Sequence, residues 1–192
     1  MSGVVAIVGS RSVPHGGSRL VARVSGALTR TGYTLAVGCA YGADAAVFNS
    51  VFSGSVPVSS VQCFSMFGKG GEGHCQVSAV YMVSCFAAVG GSVSWWSGGG
   101  SSVPVRARLI NRTRAVVSAA SVSVVAFFSS PSSRGTFRAC QFGVIRGLTI
   151  IAFPLGFSGS SLPSLGSGSW VPVGGSGVWS GSWRWENKPV LL

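Results

Sequence analysis

Three short polar segments combine glycine with hydroxyl or guanidinium groups, as phosphate-binding turns do. They are 9–12 (Gly-Ser-Arg-Ser), 38–44 (Gly-Cys-Ala-Tyr-Gly-Ala-Asp) and 132–136 (Ser-Ser-Arg-Gly-Thr). Glycine lets an anion approach the backbone closely, N–H groups at the start of a helix attract it, and hydroxyls and arginines add donors. The candidate ligand-binding residues are Gly9, Ser10, Arg11, Gly38, Gly42, Asp44, Ser133, Arg134, Gly135 and Thr136.

A basic helix is predicted over 105–120, and it carries the densest charge in the chain. Its candidate nucleic-acid contacts are Arg106, Arg108, Arg112 and Arg114. Residues 108 and 112 are neighbours on a helix, whereas 106 and 114 lie on other faces, so we expect a broad basic surface. Like charges this close repel each other unless anions are near, which favours phosphate contacts over the alternative of a solvated basic face.

The net charge points to the same class of partner. Of 192 residues, 14 are basic and three are acidic, which gives a formal charge of +11, and 12 of the basic residues are arginine. Arginine presents a planar fork of donors that matches phosphate geometry. We therefore expect a polyanionic partner, either nucleic acid or a phosphorylated small molecule.

Catalytic chemistry finds little support among these residues. Asp44 is the only carboxylate in the proposed cleft, which excludes a hydrolase that uses two carboxylates. Ser10 or Ser133 would need a histidine base to act as a nucleophile, and His15 is the only candidate nearby. His15 itself is either a ligand contact or a solvated loop residue. The turns match neither the dinucleotide-binding fingerprint nor a Walker phosphate loop.

We expect no metal and no cofactor. Cys63, His74, Cys75 and Cys85 are the only group worth testing as a zinc site. Their spacing lacks a paired Cys-x2-Cys, and two of them fall in a predicted strand or helix. Buried, metal-free cysteine is the interpretation that we favour.

The elements around these turns alternate between strands and helices. Strands are predicted over 4–8, 33–37, 61–67, 93–96, 123–128 and 148–153, and helices over 18–31, 43–52, 77–88, 105–120 and 136–146. This order predicts an α/β fold, a single Rossmann-like, doubly wound and mostly parallel sheet with helices on both faces. In such a sheet the ligand crevice lies beyond the carboxyl ends of the strands, where we expect the three turns to meet.

A change in composition divides the chain into a domain at 1–157 and a Gly/Ser/Trp-rich C-terminal extension at 158–192. Trp170, Trp179, Trp183 and Trp185 are costly to leave in water, so we expect this tail to pack on the domain or on a partner, either a second copy or another protein. No membrane-spanning run and no secretory signal are recognised, and the five cysteines are odd in number and scattered. A cytoplasmic location is the expectation.

Four segments together resemble the SMF/LOG-type superfamily, and within it the Rossmann-like domain of the DNA-processing protein A branch with its small plasmid- and phage-associated relatives. They are 5–11, 38–46, 111–114 and 133–136, and the resemblance spans about residues 4–157. It implies phosphate binding at the first and third turns. It also implies that single-stranded DNA is held around the second turn and the arginine helix.

One difference from the enzymes of this superfamily bears on catalytic activity. The phosphoribohydrolase branch has a Pro-Gly-Gly-x-Gly-Thr turn followed by a catalytic glutamate, whereas here Thr136 is followed by Phe-Arg-Ala-Cys at 137–140. The sequence therefore predicts a non-enzymatic module that binds nucleic acid, with single-stranded DNA favoured, or a nucleotide end. Tyr41 or the tryptophans of the tail are candidates for base stacking. The alternatives are a small-molecule nucleotide sensor or nucleotide-processing enzyme that uses the same crevice, and a structural subunit of a larger assembly.

Overall fold

The computed structural model describes residues 3–188, except for the side chain of His15. Within this range one sheet is flanked by five helices. The strands are β1 Val4–Gly9, β2 Thr34–Val37, β3 Val61–Phe64, β4 Ser92–Ser94, β5 Ser123–Phe128, β6 Thr149–Pro154, β7 Gly168–Pro172 and β8 Trp183–Asn187. The helices are α1 His15–Arg30, α2 Ala43–Phe52, α3 Val77–Ala88, α4 Val105–Ala119 and α5 Arg134–Ile145.

The sheet has the strand order β4-β3-β2-β1-β5-β6-β8-β7. Strands β1 to β6 are all parallel to one another, while β8 pairs antiparallel with β6 and with β7. The chain builds outward from β1 through β2 and β3 to β4, then returns across the sheet to β5. The strand order therefore reverses between β1 and β5, and a ligand crevice is expected at their carboxyl ends.

Alternate side chains of the central strands fill two separate cores, because successive residues of a strand point to opposite faces. One core lies under α1, α2 and α3, and the strands contribute Val5, Ile7, Leu35, Val125 and Phe127 to it. The other lies under α4 and α5, and it receives Ala6, Val8, Val124, Ala126 and Phe128. The predicted doubly wound architecture, with helices on both faces of a mostly parallel sheet, is confirmed.

The tail does not stay loose, because residues 168–187 form a hairpin that extends the sheet. Strand β8 lies beside β6, with Ala152 opposite Trp183. Trp185 is buried in the core under α4 and α5, and its ring meets that of Trp170 edge-on with centroids 5.4 Å apart. On the other face, Trp179 stacks on Phe153 at 6.0 Å. The domain itself therefore covers apolar surface of these tryptophans.

No helix between residues 3 and 188 is long and apolar enough to cross a membrane.

Candidate functional site

The first and third turns are tied together by hydroxyl groups at the carboxyl ends of β1 and β5. The Ser10 hydroxyl donates to Ser133 Oγ at 2.9 Å and accepts from the Ser129 N–H at 3.1 Å. Ser133 Oγ also accepts from the Ser130 N–H at 3.2 Å. These two serines therefore hold the turns in register.

The second turn packs against the first so closely that glycine is required at the contact. The Ala43 N–H donates to the Ser10 carbonyl at 3.3 Å. A Cβ on Gly42 would overlap the same carbonyl and lie 2.7 Å from the Arg11 carbonyl, and the φ of Gly42 is +75°. A Cβ on Gly9 would lie 2.5 Å from Ala43 Cβ. These glycines serve the packing of one turn on another.

A cleft of about 430 Å³ opens beside the joined turns, between α4 and α5. Its lining comes from the first turn, the third turn and the facing sides of the two helices. The charged and polar lining residues are Ser10, Arg11, Asp44, Arg106, Arg112, Thr113, Ser133, Arg134, Thr136 and Arg138. The sequence-predicted residues Gly9 and Gly135 also line it, whereas Gly38 and Gly42 of the second turn do not.

Four guanidinium groups around this cleft are exposed and have no carboxylate partner. They belong to Arg11, Arg106, Arg134 and Arg138. Within residues 3–188 the salt bridges are Arg112 with Asp44 and Arg184 with Glu186, and neither involves these four side chains. The cleft therefore has a strongly positive potential, which a low-dielectric wall concentrates.

Arg112 and Asp44 form a buried ion pair beneath the cleft. Arg112 Nη1 donates to Asp44 Oδ2 at 3.3 Å, and the same carboxylate oxygen accepts from the Ala40 N–H at 3.0 Å. Burial raises the pKa of the Asp44 carboxyl above its ordinary range, although the guanidinium and backbone N–H groups act in the opposite direction. Gly38 lies against this pair, since a Cβ there would overlap Arg112 Nη1. The pair fixes the second turn to α4.

The other two arginines of α4 have separate contacts. Arg108 is buried, donates from Nη1 to the carbonyls of Met66 at 3.2 Å and Gly73 at 2.8 Å, and lies 5.4 Å from the centre of the Trp96 ring. Arg114 is exposed and lies 4.9 Å from the centre of the Phe142 ring. The predicted broad basic surface of four arginines is therefore not what α4 presents. Two of the four are buried by contacts within the protein.

The N-terminus of α5 presents unused hydrogen-bonding groups to the cleft. Its first N–H groups have no acceptor within the helix, and Ser133 at the N-cap makes no side-chain capping bond. Thr136 is 3% exposed, and its hydroxyl has no hydrogen-bond partner among the described residues. Gly135 leaves open space where a side chain would lie. An anion in this position would satisfy groups that are otherwise costly to bury.

Several residues of the cleft went unrecognised in the sequence. Arg138 lies one helical turn beyond Arg134, and that four-residue spacing was the available signal. An apolar wall faces the arginines and is formed by Val8, Leu109, Ile110, Val116, Ala139 and Phe142. On α4 these positions follow helical periodicity and are indistinguishable from ordinary core residues until α5 is placed beside them.

A second, more open groove of about 550 Å³ lies across the second turn. Arg11 lines both this groove and the cleft. Beyond Arg11 the groove is lined by uncharged residues: Ser12, Val13, Ser18, Tyr41, Gly42, Ala45, Ala46, Asn49 and Gln76. Tyr41 provides an aromatic face there, half-buried on the second turn.

The cysteine and histidine residues considered for zinc contact backbone carbonyls and other neighbours. Cys63 Sγ contacts the Gly38 carbonyl at 3.6 Å, and His74 Nδ1 lies 2.8 Å from the Gly71 carbonyl oxygen. Burial raises the pKa of the Cys63 thiol well above its usual value. In the part of the chain that is described, no three His, Cys, Asp or Glu side chains are grouped as metal ligands. The side chain of His15, considered as a ligand contact or a general base, lies outside what the structure describes.

Comparison with known proteins identifies the fold. No family model matches the chain, and no curated protein matches it in sequence. Among solved structures, DNA-processing protein A from Helicobacter pylori, which binds single-stranded DNA, has a TM-score of 0.62 at 15% identity and matches 79% of this chain. DNA-processing protein A from Streptococcus pneumoniae has a TM-score of 0.62 at 16% identity and matches 84%.

These matches define the chain as a Rossmann-like α/β protein with the fold of DNA-processing protein A. The fold that the sequence resemblance implied is confirmed. The aligned region covers 65% of the Helicobacter chain and 53% of the Streptococcus chain. The likeness therefore concerns one part of those larger proteins.

Proposed function

We propose that this chain is a non-enzymatic module that binds single-stranded nucleic acid, DNA in preference, through the cleft between α4 and α5. The observation that carries the proposal is the set of four exposed, unpaired guanidiniums around the free N-terminus of α5. The DNA-binding activity of the Helicobacter protein of the same fold supports it.

A phosphate at the N-terminus of α5 would accept hydrogen bonds from the backbone N–H groups of Gly135 and Thr136. Its charge would also interact favourably with the positive end of the helix dipole. Arg134 and Arg138 flank this position on α5, while Arg11 and Arg106 approach from the first turn and from α4. Binding there would release counterions and would be sensitive to salt.

The bases would contact the uncharged surfaces next to these phosphates. Ile110, Leu109 and Phe142 form an apolar wall inside the cleft. Tyr41 offers an aromatic face in the groove beyond Arg11. Stacking of this kind tolerates any base, because every base has a π-face. The arrangement therefore favours binding without strong sequence preference.

The geometry supports binding over catalysis. Asp44 is the one carboxylate that lines the cleft, and its Oδ2 is occupied by Arg112 and by the Ala40 N–H. Phe137 follows Thr136 at the start of the stretch where the related hydrolases carry their catalytic glutamate. A general acid or base positioned for glycosidic-bond hydrolysis is therefore not provided by the described lining residues.

Titration of a fluorescently labelled 12-nucleotide single strand, followed by anisotropy, tests the proposal. Replacing Arg134 and Arg138 together by Ala should weaken binding at least about tenfold, equivalent to about 1.4 kcal/mol. The matched control replaces Arg23 and Arg30, two exposed arginines of α1 that do not line the cleft. Equal losses in the two double variants would contradict the proposal, because they would show that only total charge matters.

A second candidate function, a sensor of small nucleotides, is favoured by the volume of the cleft. About 430 Å³ lies within the range of small-molecule sites, and the lining is partly apolar. Competition between the labelled strand and a nucleoside monophosphate separates the two. If an equimolar mononucleotide displaces the strand, the protein is a sensor of small nucleotides. If the mononucleotide competes only at great excess, the result supports binding of single-stranded nucleic acid.

A further inference from the structure

We infer that the N-terminus of α5 takes a terminal phosphate monoester of a strand in preference to the phosphodiesters along it. This inference rests on the proposed function, since it specifies which part of a nucleic acid enters the cleft. The observations behind it are the number of donors at this position, the burial of Thr136 and the uneven charge of the two grooves.

The positive charge that lines the cleft exceeds what a single phosphodiester neutralises. A phosphodiester has two non-bridging oxygens and one negative charge, whereas a monoester has three such oxygens and carries a charge of about −1.5 to −2 at neutral pH. The site presents the N–H groups of the first turn of α5, the Thr136 hydroxyl and the guanidiniums of Arg11, Arg134 and Arg138. Three oxygens and a second charge match this set better than two oxygens and one charge.

The burial of Thr136 favours a terminal phosphate over an internal one. Thr136 lines the cleft and is 3% exposed, and its hydroxyl is buried just behind the cleft surface without a hydrogen-bond partner. An internal phosphate has a sugar on both sides, and both must leave the site through open space. A terminal phosphate has one sugar only, so it can move closer to the buried Thr136 hydroxyl than an internal phosphate can.

Charge is distributed unevenly along the proposed path. The cleft contains four unpaired arginines, whereas the groove beyond it shares Arg11 and, among the described side chains, adds uncharged residues. A run of equivalent phosphodiesters would be matched by evenly spaced cations. High charge at one position followed by neutral, partly aromatic contacts instead matches a dianionic end followed by a strand.

Four versions of one 12-nucleotide DNA strand test the inference by competition against a labelled strand. One carries a 5′-phosphate, one a 3′-phosphate, one has hydroxyls at both ends, and one is circular. We expect one phosphorylated end to bind at least tenfold more tightly than the hydroxyl-ended and circular strands. A nucleoside monophosphate, added as a fifth competitor, should bind more weakly than the preferred strand because it makes no contact in the Tyr41 groove.

Two variants test which residue causes the preference for a phosphorylated end. Thr136→Val removes the buried hydroxyl at nearly constant volume and should abolish most of the preference for a phosphorylated end. Tyr41→Ala removes a stacking face and should weaken all linear strands by the same factor, leaving the preference intact. A preference that survives in Thr136→Val would place the terminal phosphate elsewhere and overturn the inference.

The pH dependence gives an independent readout. The second ionisation of a phosphate monoester has a pKa of about 6. The preference should therefore be full at pH 7.5 and should fall towards pH 5, where the monoester carries a single charge. The charged groups that line the cleft are Arg11, Arg106, Arg112, Arg134, Arg138 and Asp44. Asp44 affects all strands alike, so the ratio between phosphorylated and hydroxyl-ended strands isolates the ligand.

The outcomes separate the inference from the proposed function. Equal binding of all four strands, with loss in the Arg134 and Arg138 double variant, would overturn the inference and leave the proposed function standing. No measurable binding of any strand would overturn both. Binding of the nucleoside monophosphate as tight as that of the preferred strand would overturn the inference in favour of a small-molecule site.

Discussion

At the scale of single residues, arginine serves two opposite purposes in this protein. Arg108 and Arg112 are buried and donate from Nη1, Arg108 to backbone carbonyls and Arg112 to Asp44. Arg106, on the same helix, is exposed to the cleft and has no carboxylate partner. The first kind holds α4 to the turns and the second kind is available to a ligand. Burial therefore decides which of these two roles an arginine has.

Thr136 should show a conflict between stability and binding. Its buried hydroxyl lacks a partner, so Thr136→Val should leave the unfolding free energy unchanged or raise it by about 1 kcal/mol. The same variant should bind single-stranded DNA with the preferred phosphorylated end about tenfold more weakly. Urea denaturation and anisotropy titration measure the two effects. Thr29→Val is the control, because that hydroxyl bonds to the Ser25 carbonyl at 3.1 Å, and it should lose stability without losing affinity.

Asp44 should make the stability of the protein fall as the pH rises from about 4. Because burial raises the pKa of its carboxyl in the folded state, the folded protein retains the proton after the unfolded chain has lost it. The unfolding free energy of the native protein should therefore fall relative to that of Asp44→Asn between pH 3.5 and 7. A rise over this interval would mean that Arg112 dominates and lowers the pKa.

At the scale of elements, the site depends on three turns that contact one another before any ligand is present. Ser10 links the first turn to the third, and its carbonyl accepts from Ala43 in the second. The cleft therefore has a rigid floor, and the mobile parts of a complex would be the arginine side chains. Such pre-organisation lowers the entropy cost of binding.

Two glycines of these turns should respond to substitution in opposite ways. Gly42→Ala should destabilise the fold by at least about 2 kcal/mol, because its φ is +75° and the Ser10 carbonyl occupies the space of a Cβ. Gly135→Val should change stability by less than about 1 kcal/mol, since its Cβ meets nothing, yet lower DNA affinity at least tenfold by blocking the start of α5.

Denaturant titration and anisotropy on both variants check this contrast. Gly174→Val is the matched control, because Gly174 also has open space around it and lies in the β7–β8 hairpin away from the cleft. It should change neither quantity. A loss of stability in Gly135→Val that matches its loss of affinity would show that Gly135 is a packing position.

The elements were predictable where local pattern and tertiary packing agree. Helices α2 and α3 and strand β5 have the predicted bounds, because a serine or glycine follows the last residue of each within two positions. Helix α5 begins at Arg134, two residues before the expected Thr136, which adds Gly135 to its first turn. The hairpin of β7 and β8 was missed because its glycines and serines conceal the strand pattern. Its tryptophans form strands through packing on β6 and the second core.

The site was predictable only in part, because some of its features depend on packing between segments that are distant in the sequence. The glycines and hydroxyls of the three turns are visible in sequence because they follow strands. The burial of Arg108 and Arg112 is not visible, because it depends on Met66, Gly73 and Asp44, which are distant in the chain. The apolar wall of the cleft likewise exists only where α4 faces α5.

At the scale of the whole molecule, the C-terminal hairpin should unfold together with the rest of the sheet. Trp179 stacks on Phe153 and Trp185 lies in the second core, so the extension and the domain share both apolar cores. In a variant with Trp95→Phe and Trp96→Phe, the remaining tryptophan fluorescence reports on residues 170–185. Its urea transition should coincide with that of far-UV circular dichroism, and an earlier fluorescence transition would show an independent tail.

The net charge of +11 alone would attract any polyanion, so the central claim is that binding is localised at the cleft. The dependence of single-stranded DNA affinity on salt concentration tests this most directly. Each neutralised phosphate contributes a slope of about −0.7 to the logarithmic plot for a single strand. Replacing Arg134 and Arg138 by Ala should make the slope shallower by about one unit, while replacing Arg23 and Arg30 should leave it unchanged. An equal change in both variants, or no change in either, would contradict a binding site between α4 and α5.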